Sequence, residues 1–202
     1  MKAEEKFINF VKSECEAHGV QFKPYKRSYI KMTDSIKCSG FFDDGSSNEK
    51  GKPILAFAHG NPEYLGVLAH EYCHLTQWID GIPLWKKSEE SMGFIDLWLS
   101  GEDVSDINKH LGLARDLELD NEIRTVEIIK KWHLPIDIKS YIQAANAYVM
   151  FYNYLKISRR WCIPPNTPYR NPRVRGAMST EFDMDYKKLS KNLENIFREE
   201  NI

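Results

Sequence analysis

Apolar residues recur at helical spacing from Lys2 to His18, with Phe7, Ile8, Phe10, Val11 and Cys15 on one side and Gly19 as a natural stop. From Val20 to Met32 the pattern shifts towards alternation, with Val20, Phe22, Tyr25, Tyr29 and Ile30 as strand formers. A second strand is expected over Ser35–Phe42, a polar turn-rich loop over Asp43–Lys52, and a short strand over Pro53–Ala58. These three strands read as a meander. Asn61-Pro62 then offers a helix cap followed by the residue favoured at the first helical position. Helices are predicted over Pro62–Ile79, stopping near Gly81, then over Ser88–Leu99, Ser105–Trp132 (ended by Pro135) and Asp137–Arg159. Cys162–Met178 is rich in Pro, Asn and Arg and reads as irregular, and Asp183–Glu199 reads as a closing amphipathic helix.

One helix, a small and mostly antiparallel sheet, and then helices alone describe an α+β chain. With 202 residues it suits a single domain. Residues 1–60 would form a helix and sheet, 61–160 a helical part, and 161–202 an irregular segment with the last helix. The formal net charge of -1 provides no long-range field to recruit nucleic acid or an anionic membrane. No window approaches the roughly 18 apolar residues of a membrane span, and Met1–Lys12 lacks the apolar core of a secretory signal. Cys15, Cys38, Cys73 and Cys162 are scattered, without a C-x-x-C pair, which suits reduced thiols and a cytoplasmic location.

The Pro62–Ile79 helix carries His70-Glu71-Tyr72-Cys73-His74. Residues four apart share a helix face, so His70 and His74 can present two imidazoles to one ion. Imidazole nitrogen suits zinc, which would bring a bound water towards a pKa of about 7. Glu71, beside the first ligand, can take that water's proton and pass it to a leaving amine. Cys73 lies within the same helix and reads as core.

A third ligand must come from elsewhere. Ala114–Thr125 concentrates Asp116, Glu118, Asp120 and Glu122 on one predicted helix, with Glu127 just beyond. Leu113, Leu117, Ile123, Val126 and Ile129 form its apolar stripe, flanked by Glu118 and Glu122 on a shared face. Like charges at that spacing repel unless a cation offsets them. Either acid can be the ligand on this reading, the other accepting a hydrogen bond from a ligand imidazole.

These features together resemble the gluzincin branch of the zincin metallopeptidases: the His-Glu-x-x-His run, the downstream pair Glu118 and Glu122, and a strand (Ile54–Ala58) shortly before the motif helix. The resemblance covers Ile54–Ile129. It implies a zincin-like fold and one zinc ion held by His70, His74 and Glu118. It further implies Glu71 as base, Glu122 orienting a ligand imidazole, and an edge strand at Ile54–Ala58 that pairs with an extended protein or peptide substrate. The chain departs from the pattern in having Glu rather than Asp at position 122. Asn121-Glu122 also resembles the Asn-Glu of thermolysin-like enzymes, but the acid then expected four residues later falls on Val126. The metzincin pattern is absent, since no His follows Gly81 at the required spacing, and Cys38 lacks the flank of the deformylase cysteine ligand.

A peptidase of this kind needs an oxyanion stabiliser. His110, His133, Tyr141, Tyr148, Tyr152 and Tyr154 are available, and Tyr148 and Tyr152 share a helix face that can lean over the metal. His59 reads as a surface histidine. Arg159-Arg160-Trp161 and Tyr169–Arg175 concentrate cations among aromatics, which reads first as a surface balancing the 29 acidic residues, with a site for nucleic acid or an acidic partner and a loop over the active site as the other readings. Two other readings use the same ligands or nearly so. One is a zincin-fold regulatory or binding protein without useful turnover. The other is an SprT-like protease at nucleic acid, whose third ligand would be His110 or His133.

Overall fold

A computed structural model describes residues 2–32, 37–46, 48 and 51–202 of the chain. The order is α1 (Ala3–Ala17), β1 (Gln21–Tyr25), β2 (Ile30–Lys31), β3 (Lys37–Cys38), β4 (Gly40–Asp43), β5 (Ile54–Ala58), α2 (Tyr64–Ile79), α3 (Pro83–Leu99), α4 (Ile107–Lys131), α5 (Ile138–Ser158), α6 (Pro172–Gly176) and α7 (Lys191–Glu199). The fold is mixed α+β. No helix among the described residues is long and apolar enough to cross a membrane.

The chain forms two compact units, Met1–Gly81 with Arg124–Ile136 and Ile82–Ile123 with Asp137–Ile202. The division falls inside α4, so each unit takes part of one continuous helix.

In the first unit the sheet order is β1-β5-β4. β1 runs parallel to β5, with Gln21 opposite Ile54, and β4 runs antiparallel to it, with Phe41 opposite Ala56. The expected three-strand meander is therefore a mixed sheet, and β5 lies at its centre rather than its edge. The reason is legible in β5 itself: Leu55, Ala56, Phe57 and Ala58 are all buried, and a continuous apolar run marks a strand covered on both faces. Pro24, which cannot donate to a ladder, sits on edge strand β1. The strand expected over Ser35–Phe42 resolves, in its described part, into β3 and β4. Ser35 and Ile36 lie outside the described residues, as do Ser47, Glu49 and Lys50 of the loop expected over Asp43–Lys52.

β4 lies directly on α2. A Cβ at Gly40 would stand 2.6 Å from Val67 Cγ1, 2.9 Å from Glu71 Cγ and 3.0 Å from the Ala56 carbonyl oxygen, so only glycine allows this approach. The far side of α2 is apolar: Leu65, Leu68, Ala69, Tyr72, Cys73 and Leu75 are buried. Tyr72 meets Phe7 and Phe10 of α1 edge-on, and Phe10 packs on Trp132 with 4.8 Å between ring centroids. Each such aromatic pair contributes about 0.5–1.5 kcal/mol beyond area burial. Trp132 follows α4 directly, so this cluster seats the last turn of α4. Arg124 adds a polar tie, its Nη1 donating to Asp80 Oδ2 at 2.7 Å and standing 3.4 Å from Thr76 Oγ1.

The second unit is helical around Phe151, Met150, Leu155, Val174, Phe197 and Ile95. α3 starts at Pro83 rather than Ser88, with proline in the first turn. Ser88 and Ser91 are buried within it, and the Ser91 hydroxyl donates to the Lys87 carbonyl at 2.7 Å, which reconciles serine with a helix interior. The expected Asp183–Glu199 helix shortens to Lys191–Glu199, capped by Ser190, whose Oγ accepts from Leu193 N. Amides on α5 hold the preceding segment irregular: Asn146 Nδ2 donates to the Ser179 and Glu181 carbonyls, and Asn153 Nδ2 to the Tyr186 carbonyl. The region read as irregular over Cys162–Met178 includes α6, begun by Asn171, which accepts from Arg173 N and Val174 N.

Candidate metal centre

α2 begins two residues later than Pro62, at Tyr64, because the Asn61 side chain folds into a turn, Oδ1 accepting from Glu63 N at 2.9 Å. Once the helix runs, its geometry presets the histidine pair. The His70 and His74 Nε2 atoms stand 3.2 Å apart, their rings nearly perpendicular with centroids 4.7 Å apart. Two nitrogens held about 2.0–2.1 Å from one zinc ion subtend roughly 100° when separated by 3.2 Å, near the tetrahedral angle. The Nδ1 of His74 meets Gln77 Oε1 at 2.9 Å. Gln77 is fully buried and was not singled out from the sequence. The signal was its position, three residues past His74 on the same helix.

His70, His74 and Glu118 each offer one ligand atom, and these atoms lie within 4.8 Å of one another. This His/His/Glu group can hold a metal ion; two imidazoles and a carboxylate are a donor set that zinc accepts. Glu71, next to His70, is buried at 7% exposure beneath Gly40.

Beyond Glu118, α4 carries a buried polar belt. Ile123, expected in the apolar stripe, is 43% exposed, while Asn121 and Thr125 are fully buried and Glu122 is 5% exposed. The inward face of α4 is therefore apolar at Leu117, Val126 and Ile129 and polar between them. A helix that buries Asn and Glu while exposing Ile has its polar side chains engaged, because burying them otherwise is costly. Glu122 Oε2 accepts from the Tyr141 hydroxyl at 2.7 Å. Of the other acids, Asp116 pairs with the largely buried Arg115 and Glu127 with the exposed Lys130.

The Tyr148 and Tyr152 hydroxyls stand 3.3 Å apart. Burial first, and then the Glu118 carboxylate, holds both phenols well above their usual range, so both stay protonated. Tyr154 is core, stacked on Phe197. His110 is engaged by Ser91 and Phe94, His59 is exposed beside Tyr64, and His133 is exposed in a left-handed conformation after α4. Neither His110 nor His133 belongs to the metal-competent group.

All four cysteines are free thiols. Cys15 is pushed up to about 12 by burial and then by Glu14 and Glu16, and Cys38 up to about 11 by burial and then by the Glu71 charge. The cation-rich segments are tied within their own unit. Arg159 donates to the Trp98 and Glu102 carbonyls, Arg173 pairs with Glu199 and Glu200, and Arg175 donates to the Ser140 carbonyl. No protein-family model, curated protein or solved structure matches the chain, so these side chains alone carry the functional reading.

Proposed function

We propose that the chain is a zinc-dependent peptidase of the zincin kind, with His70, His74 and Glu118 holding one metal ion per chain. The observation that carries this reading is the convergence of two Nε2 atoms 3.2 Å apart with a Glu118 oxygen, beside a buried glutamate in the next helical position. A zinc ion there would supply Lewis acidity, making water nucleophilic near neutral pH.

The chain's own residues do the rest. Glu71 takes the proton of the attacking water and delivers it to the leaving amine nitrogen. Tyr148 and Tyr152, kept protonated, donate to the oxygen on which charge develops. Glu122 orients a ligand imidazole, with its own carboxylate steadied by Tyr141. The substrate is a protein or peptide.

The test is Glu71→Gln. Hydrolysis of a quenched peptide library should fall by about 100- to 10,000-fold, with zinc content by elemental analysis equal to wild type. Undiminished hydrolysis in that variant sinks the role given to Glu71. A second reading, a metal-holding module without turnover, gains support from the Tyr148 and Tyr152 hydroxyls being turned to each other. It is favoured if the library stays uncut by wild type with zinc bound.

A further inference from the structure

His74 makes two contacts through opposite ring nitrogens. Nδ1 faces the Gln77 amide oxygen at 2.9 Å, and Nε2 faces His70 Nε2 at 3.2 Å. An amide oxygen only accepts, so Nδ1 carries the ring proton of the neutral imidazole and Nε2 keeps its lone pair. We infer that Gln77 is a positioning residue that locks His74 in the Nδ1–H tautomer and so aims the Nε2 lone pair at the point it shares with His70.

Three features give this content. Gln77 is fully buried, so its amide meets no competing bulk water. It lies three residues beyond His74 on α2, so ordinary helix geometry brings the two side chains together before any metal arrives. It is also uncharged. Glu71 is already a buried acid on the same helix, and an amide orients the imidazole without adding a second buried negative charge beside it. The inferred orientation is a property of α2 by itself. Its consequence for metal affinity rests on the metal-site reading proposed above, but not on peptide hydrolysis.

The experiment uses the full chain labelled with 15N-histidine and freed of metal, at about pH 8.5, where an ordinary imidazole is neutral. Long-range proton–nitrogen correlation spectra read the tautomer, and His74→Gln identifies the signal. Wild type should show Nδ1–H, Gln77→Glu should keep it, and Gln77→Leu, similar in size with no acceptor, should lose it. Competition against a zinc chelator should then show Gln77→Leu binding zinc about 10- to 100-fold more weakly, the usual cost of removing a ligand's outer partner, with Gln77→Glu within a few-fold of wild type. An Nε2–H signal in wild type overturns the inference outright, whether or not any variant folds. So does a folded Gln77→Leu that keeps both the Nδ1–H signal and wild-type zinc affinity. If the tautomer follows Gln77 while zinc-loaded wild type leaves the peptide library uncut, the peptidase reading fails and this one stands.

Discussion

The two helices that carry the candidate ligands solve the placement problem in opposite ways. α2 supplies its pair through local geometry: four residues of helix put His70 and His74 on one face, and three more put Gln77 behind His74. Its other face is a conventional apolar surface that meets α1 through Tyr72. α4 supplies a single carboxylate, and nothing local dictates its use. Glu118 is one of several acids on a long polar helix. It is a ligand candidate only through its proximity to the pair, whereas the C-terminal end of the same helix is tied to α2 through Arg124 and followed by the Phe10–Trp132 packing on α1. A site built this way has two candidate ligands secured by secondary structure and one dependent on tertiary structure.

The largest effect that can break this contrast is on metal retention. His74→Ala removes half of the preset pair and should abolish stoichiometric zinc in the purified protein. Glu118→Ala should leave the pair and weaken zinc by more than about 100-fold, beyond the cost of losing an outer partner. Glu122→Ala should weaken it less. Chelator competition on the three variants ranks them, and equal zinc affinity in wild type and Glu118→Ala would return the third ligand to Glu122 or to neither acid.

A smaller effect is expected at the contact between sheet and helix. Gly40→Ala drives a methyl group to 2.6 Å from Val67 and 2.9 Å from Glu71. It should cost about 1–3 kcal/mol in urea unfolding, as overpacking does, and should lower hydrolysis more than zinc content, because the displaced group is the proposed base. The smallest effect tests the anchoring of α4. Arg124→Ala removes a half-exposed ion pair worth about 0.2–1 kcal/mol. If that tie also sets Glu118, zinc affinity should fall by a few-fold while a similar exposed-pair deletion, Lys130→Ala, leaves it unchanged.

Much of this was legible from residues alone. The spans of α2, α4 and α5 follow hydrophobic period, caps and prolines to within about two residues, the ordinary margin at helix ends. The histidine pair needs only helical geometry. The sheet was less legible, since strand order is a matter of which edges meet rather than of any strand's own pattern. The unbroken run Ile54–Ala58 nevertheless carried the information that β5 is central. Ile123 misled for a related reason: its hydrophobicity placed it inward, whereas the helix rotates to bury Asn121, Glu122 and Thr125. α3 and α7 were misplaced where serine and asparagine side chains bond backbone carbonyls, through Ser91, Asn146 and Asn153. Such partners are distant in sequence or invisible to periodicity. Gln77 escaped for the same reason, and Tyr141 stood only among the oxyanion candidates rather than as the partner of Glu122, because a side-chain amide or phenol reveals its purpose only once its partner is known.

The division inside α4 has a practical consequence for anyone who would cut the molecule apart. Neither unit is a contiguous stretch of chain. A fragment ending at Gly81 keeps His70, Glu71, His74 and Gln77 but loses Trp132, leaving Phe10 without the ring it packs on at 4.8 Å. A fragment starting at Ile82 carries 124–136 without α1 and α2, which this segment packs against. Modules exchanged between proteins are usually lifted by two cuts in sequence. Here the histidine helix can be moved with its native packing only if a second, remote segment moves with it, so grafting, truncation and circular permutation all have to respect residue 124 as much as residue 81.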